Sequence, residues 1–206
     1  MPAFSKKEIS LFKKLNTPTK VQGFLNQIPF NFENEKGYKR ETLRSPLFTL
    51  RHNSAHCFEG ALLGAYVLSQ HGFKPYIIYL KSARKDFDHV IVPFKVRGYW
   101  GALSKTNHVV LRYREPIYKN IRELVMSYFH EYFLDNGEKT LRQYSALLNL
   151  NSFEKNWATL SGDLWGIDNA LDKLKHYEIV PKHYMKKLRN ADWIEIQAGK
   201  MVEYKK

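Results

Sequence analysis

The chain has 206 residues, 44% hydrophobic and 15% aromatic, enough for one well-buried core with small additions. Its formal charge is +13 and its isoelectric point about 9.7, yet the basic residues are dispersed and no helix-turn-helix, zinc-finger or aromatic RNA-binding signature accompanies them. A solvated basic surface is therefore expected, nucleic acid is not expected as a partner, and the longest apolar stretch, Ala61 to Leu68, is too short to span a bilayer.

Ser5-Lys6-Lys7-Glu8 has the capping-box pattern, and Ile9, Phe12 and Leu15 follow it at helical spacing. Thr17-Pro18 reads as an N-cap with proline at the first helical position, with Val21, Phe24, Leu25 and Ile28 on the apolar face. Residues 29–44 are turn-rich and polar, ending in a basic, exposed connection. Ser45-Pro46 opens a short helix carrying Leu47, Phe48 and Leu50. From Cys57 to Gln70 the pattern is helical and strongly apolar, closed by His71-Gly72. Pro75 to Leu80 reads as a buried strand. The charged loop Lys81 to Asp88 leads into a strand from His89 to Val96, Arg97-Gly98 turns the chain, and Tyr99 to Ser104 returns it. Lys105 to His108 is loop-like, Val109 to Tyr113 is a further strand, and Pro116 starts a long helix through Phe133. Asp135-Asn136-Gly137 breaks it. Beyond residue 140 the pattern is weaker, with helices expected from Asp163 to Lys175 and from His183 to Arg189. No repeat or obvious linker divides the chain, so residues 1–206 are expected to form one α+β domain with its core at about 45–115.

Cys57 is the only cysteine, so it can neither form an internal disulfide nor complete a thiolate-rich zinc site. One unpaired thiol suits a reducing compartment, and the N-terminus carries no secretory pattern; a cytoplasmic protein is expected. Cysteine is often a small buried hydrophobe. At a helix N-terminus, however, unpaired backbone N–H groups favour the thiolate and can stabilise an oxyanion. His89 opens a strand after a charged loop, where its ring can lie at the rim of the sheet. The orienting group depends on the hairpin. A two-residue Arg97-Gly98 turn pairs Val96 with Tyr99 and Ile91 with Ser104, placing Ser104 diagonal to His89 on one face. A three-residue bulged turn puts Asn107 on that face instead.

Cys57-Phe-Glu-Gly-Ala-Leu-Leu-Gly, then His71-Gly72-Phe-Lys-Pro75 before a strand, then His89, then Gly98-Tyr-Trp-Gly-Ala-Leu-Ser104-Lys-Thr106, resembles the transglutaminase-like superfamily of papain-type cysteine enzymes. The resemblance covers about residues 45–115, and the whole chain looks similar to stand-alone bacterial members with a comparable Ser-Lys-Thr-Asn-His segment and Tyr-Phe-His-Glu-Tyr-Phe helix. It implies a nucleophile helix packed on an antiparallel sheet, Cys57 as nucleophile and His89 as base. Where the family has an aspartate this chain has Ser104, which carries no charge; Asn107 could orient the ring as asparagine does in papain-like relatives.

Other residues fit quieter roles. His52 and His56 read as solvated loop histidines, Glu59 as a carboxylate favoured by the helix dipole, and Trp100 as core. Arg112, Arg114 and Glu115 read as a surface ion-pair network. His130-Glu131 lacks the second histidine four positions on, which is Leu134, and no glycine-rich phosphate loop is present, so no metal or cofactor is expected. Two functions remain open: cysteine-dependent acyl transfer or amide hydrolysis on a peptide or amide-containing substrate, with Ser104 or Asn107 orienting His89, or a non-catalytic peptide- or ligand-binding module on the same fold.

Overall fold

A computed structural model describes residues 2–32 and 41–205 of the chain, so part of the expected 29–44 connection lies outside the described residues. Helices α1 (Lys6–Lys14) and α2 (Pro18–Gln27) begin where their caps dictate. The Ser5 hydroxyl accepts the Glu8 N–H and Glu8 accepts the Ser5 N–H; Thr17 accepts the Lys20 N–H ahead of Pro18. Helices α3 (Pro46–His52) and α4 (Cys57–Ser69) follow, and Gly72 takes the left-handed conformation that turns the chain into the sheet.

That sheet holds β1 (Tyr76–Ser82), β2 (His89–Val96), β3 (Tyr99–Ser104), β4 (Arg114–Tyr118), β5 (Leu141–Ser145), β6 (Leu148–Asn149) and β7 (His176–Glu178). Its order is β4-β3-β2-β1-β5-β7, with β6 also pairing with β1, and every pairing is antiparallel. The architecture is α+β, with an antiparallel sheet covered by helices on both faces. Alternation along the strands separates the faces. Ile77, Val90, Val92 and Leu103 pack with the apolar side of α4, while Ile78, Ile91 and Ala102 pack with Leu124, Val125 and Tyr128 of α5 (Ile121–Phe129). Helices α6 (Trp165–Lys173) and α7 (Trp193–Gly199) complete the chain.

The β2–β3 hairpin takes the two-residue turn: Arg97 and Gly98 both have positive φ, 48° and 90°, and Ile91 pairs with Ser104. Several expectations are corrected. Residues 109–113 form no strand, because Leu111 turns left-handed at φ 60°. Pro116 sits in β4, an edge strand where a missing N–H breaks no interior ladder, and the following helix starts only after Asn120, whose side chain caps the Glu123 N–H. That helix ends at Phe129, not Phe133. The segment near 183–189 is a 3₁₀ turn at Lys182–Lys187, and β5, β6 and β7 add strands where only helices were expected. The end of the 29–44 connection is not exposed, since Leu43 is 1% exposed and Arg44 is partly buried.

One close approach locks α4 to the end of β3. A Cβ on Gly60 would clash with the Lys105 Cβ and lie 2.7 Å from its Cγ, atoms that cannot swing away because they adjoin the backbone. Gly60→Ala is expected to lower stability by about 1–3 kcal/mol, read as a fall in midpoint in urea unfolding. A variant as stable as the parent would show that α4 and β3 are not locked there.

Candidate active site

Cys57 is the first residue of α4, and its thiol lies in a cleft of about 690 Å³ with His56, His89, Lys105, Thr106 and Asn107 along its wall. Apolar groups, among them Phe30, Phe87, Phe133 and Val202, line much of the rest. The volume suits a peptide segment or small ligand.

The start of α4 is held by charge. Glu59 is fully buried and its carboxylate accepts from Arg44 Nε at 2.7 Å, Arg44 Nη2 at 3.0 Å, Thr42 Oγ1 at 2.9 Å, Asn31 Nδ2 at 3.0 Å and the Arg44 and His56 N–H groups. Burial pushes this carboxyl up, but the Arg44 hydrogen bond and the nearby positive charges outweigh it, leaving it at about 2. The dipole role expected for Glu59 is thus a small part of what it does.

His56 is not a solvated loop residue. Its Nδ1 accepts the Phe58 N–H at 3.2 Å, capping α4, and its Nε2 faces the Thr42 carbonyl at 2.8 Å. That is the bonding of a neutral ring, since a protonated Nδ1 has no lone pair for Phe58. Burial opposes charge on the ring, yet hydrogen bonding to Cys57 and the negative charges of Glu59 and the thiolate raise it to about 9. The two states exclude each other: the neutral ring caps the helix, and the charged ring accompanies the thiolate. For Cys57, burial pushes the thiol up, but hydrogen bonds to His56 and His89 and their positive charge hold it at about 5.

His89, 5% exposed, opens β2 opposite Leu80. Its Nε2 meets Ser104 Oγ at 2.8 Å, diagonally across the hairpin. The Ser104 hydroxyl donates its proton to the Leu111 carbonyl in a very short bond. A hydroxyl has one proton, so toward His89 the serine oxygen accepts, and Nε2 carries the hydrogen. Ser104 is fixed on its backbone too. Gln22 of α2, buried among apolar neighbours, accepts the Ser104 N–H at 3.0 Å and donates to its carbonyl at 2.8 Å.

Asn107 lines the cleft, but its amide is turned elsewhere. It accepts the Tyr204 N–H at 2.8 Å and donates to the Tyr204 carbonyl at 2.9 Å, tying residues 203–204 across the loop. Asp88 caps the turn before β2 through the Ser82 N–H at 2.7 Å and pairs with Lys81 at 2.8 Å. Lys105 is buried with Nζ on the Leu25 and Ile28 carbonyls, closing the C-terminal end of α2; desolvation lowers it to about 8. Arg112 and Arg114 do not form the expected surface network with Glu115: Arg112 pairs with Glu203 at 3.0 Å, and Arg114, mostly buried, pairs with Glu131 at 2.5 Å. Among the described residues no cluster of three metal-ligating side chains occurs, and no helix is long and apolar enough to cross a membrane. Sequence reading missed His56, Gln22 and Leu111. Histidine is not a favoured N-cap, although the acidic residue three positions on was a capping signal.

No family model matches the sequence, and no curated protein does. Among solved structures the chain is similar to Legionella pneumophila LapG. The EGTA-treated form superposes at TM-score 0.44 with 14% identity, covering 81% of this chain and 85% of that one. The calcium-bound form gives TM-score 0.43 and 12% identity, covering 78% and 86%. Likenesses this loose carry nothing about the site, whose chemistry rests on the geometry above.

The carboxylate at the start of α4 gives a pH prediction. Because Glu59 is held near 2 against an ordinary value of 4.5, its contribution is complete above pH 4.5 and is lost as pH falls toward 2. It is worth roughly 3 kcal/mol at neutral pH. In urea titrations, Glu59→Gln should flatten the loss of stability between those pH values. An acid limb as steep as that of the parent would remove Glu59 from the account.

Proposed function

We propose that the chain is a cysteine-dependent enzyme acting on amide or peptide bonds, with Cys57 as nucleophile, His89 as the proton carrier and Ser104 orienting its ring. The observation that carries this reading is the thiol at the N-terminus of α4, in a peptide-sized cleft whose wall holds both His56 and His89, with the two imidazoles drawing it down to about 5. A thiol that is only a small hydrophobe needs neither imidazole.

The steps follow from the groups present. The Cys57 thiolate attacks the substrate carbonyl carbon, forming the S–C bond while the carbonyl electrons move to oxygen. The first turn of α4 offers backbone N–H groups to that oxyanion, Cys57's own among them. The C–N bond then breaks as the imidazolium of His89 gives its proton to the leaving amine, leaving a thioester. Water, or an amine, attacks the thioester after losing a proton to His89, and the thiolate departs. Hydrolysis and acyl transfer differ only in that second nucleophile. Metal or cofactor chemistry has no part in this reading.

The uncharged Ser104 favours one rival, a binding module that has kept the cleft. Alkylation separates the two. The rate of Cys57 reaction with iodoacetamide should rise with pH through about 5, where an ordinary thiol rises through about 8.5. His89→Ala should move that midpoint upward, and His56→Asn, which keeps a capping side chain, should move it in the same direction. A profile that rises only above pH 8 in the parent protein supports the binding module.

A further inference from the structure

The serine that faces His89 is itself aimed by a second chain of contacts, and that chain ends on a carboxylate. The Ser104 hydroxyl can accept from His89 only because its proton is committed to the Leu111 carbonyl. The Leu111 carbonyl points there because the residue is left-handed at φ 60°, a conformation that residues with a Cβ adopt only when held. What holds it is Glu131, whose Oε2 accepts the Leu111 N–H at 2.9 Å.

Glu131 is itself held by an ion pair. The same oxygen pairs with Arg114 Nη2 at 2.5 Å, while Arg114 donates to Ser127 Oγ at 3.0 Å and to the Ser127 carbonyl at 3.1 Å, and lies over the Tyr128 ring at 4.1 Å. Helix α5 packs on the sheet through Leu124, Val125 and Tyr128, so this arrangement is referenced to the same core as β2 and β3. From these contacts we propose that Glu131 is a positioning residue for His89. It acts through the Leu111 backbone and the Ser104 hydroxyl and takes over the orienting half of the work a strand aspartate would do. The proposal rests on the reading of His89 as the proton carrier at Cys57. The carboxylate touches neither the thiol nor the ring, so its effect is directional and passes entirely through Ser104.

The test compares Glu131→Met, which keeps the side-chain stem without an acceptor, with Glu131→Ala and with Glu131→Gln, whose amide oxygen still accepts the Leu111 N–H. Each is made with and without Ser104→Ala, and unfolding midpoints confirm that the proteins fold. Glu131→Met is expected to raise the midpoint of Cys57 alkylation by about one pH unit, a tenfold loss of thiolate at acid pH. Glu131→Gln should restore most of the parental profile. In the Ser104→Ala protein the Glu131 substitutions should add nothing, because the link they act through is gone. Equal shifts with and without Ser104, or no shift while Ser104→Ala has one, would overturn the proposal. A second readout does not depend on the thiol. In ¹⁵N-histidine spectra of Cys57→Ala protein, the His89 ring proton should exchange with solvent at least about tenfold faster once Glu131 is Met or Ala. If parental alkylation shows an ordinary thiol but this exchange result holds, the enzyme reading fails and the positioning chain stands. If exchange is unchanged, Glu131 does not position His89.

Discussion

The site depends first on a carboxylate that has no access to solvent. Glu59 gathers Arg44, Thr42, Asn31 and the His56 N–H, so stretches that are apart in sequence meet at the first turn of α4. A buried ion in that position is costly unless its hydrogen bonds are met, and once met, removing one partner strands the other. The consequence is directional. With residues 42–44 and 56–59 tied to one point, the first turn of α4 has a single placement, and Cys57 is carried with it into the cleft. Gly60, one residue on, gives up its side chain so that Lys105 can pass, and thereby sets the depth of the helix against the end of β3.

Much of this fold was legible because it is local. The caps of α1 and α2, the apolar run of α4 and the positive-φ turn at Arg97-Gly98 are short-range patterns, and the structure has them where the sequence put them. The hairpin parity brought Ser104 and His89 together once the two-residue turn was known. The strands β5, β6 and β7 left no comparable trace. They are short, and their partners β1 and β5 lie far away in sequence or across a break, so their pairing is decided by tertiary context. Pro116 misled for a related reason: proline at a first helical position and proline in an edge strand look alike until the neighbouring strand is known.

The candidate site was legible only in part. Cys57, His89 and Ser104 stood out as residue types at telling positions. Asn107 stood out equally, yet its amide oxygen and amide nitrogen both bond the backbone of Tyr204, a partner 97 residues away that no spacing rule anticipates. Gln22 carried no signal in the sequence, and its role appears only when α2 is seen to lie along the end of β3 on the side that β4 leaves unpaired. Leu111 carried no signal at all, because a left-handed leucine is a product of its surroundings rather than of its own preference.

An aspartate behind the imidazole would do two things, hold the ring in one tautomer and stabilise its positive charge. A serine whose proton is spent on a carbonyl can do only the first. The charge must then be balanced from the sulfur side, and this chain concentrates its electrostatics there. The thiolate sits at the positive end of α4, and His56 beside it carries Glu59 3.6 Å from its Nε2. In the proposed mechanism Glu59 thus supplies to the histidine beside Cys57 the negative charge that Ser104 cannot supply to His89. In that mechanism His89 is the group that exchanges a proton with substrate, while His56 gives up its capping bond to the Phe58 N–H when it takes on charge beside the thiolate. Geometry and charge, which one aspartate would join, are here supplied from opposite sides of the same sulfur.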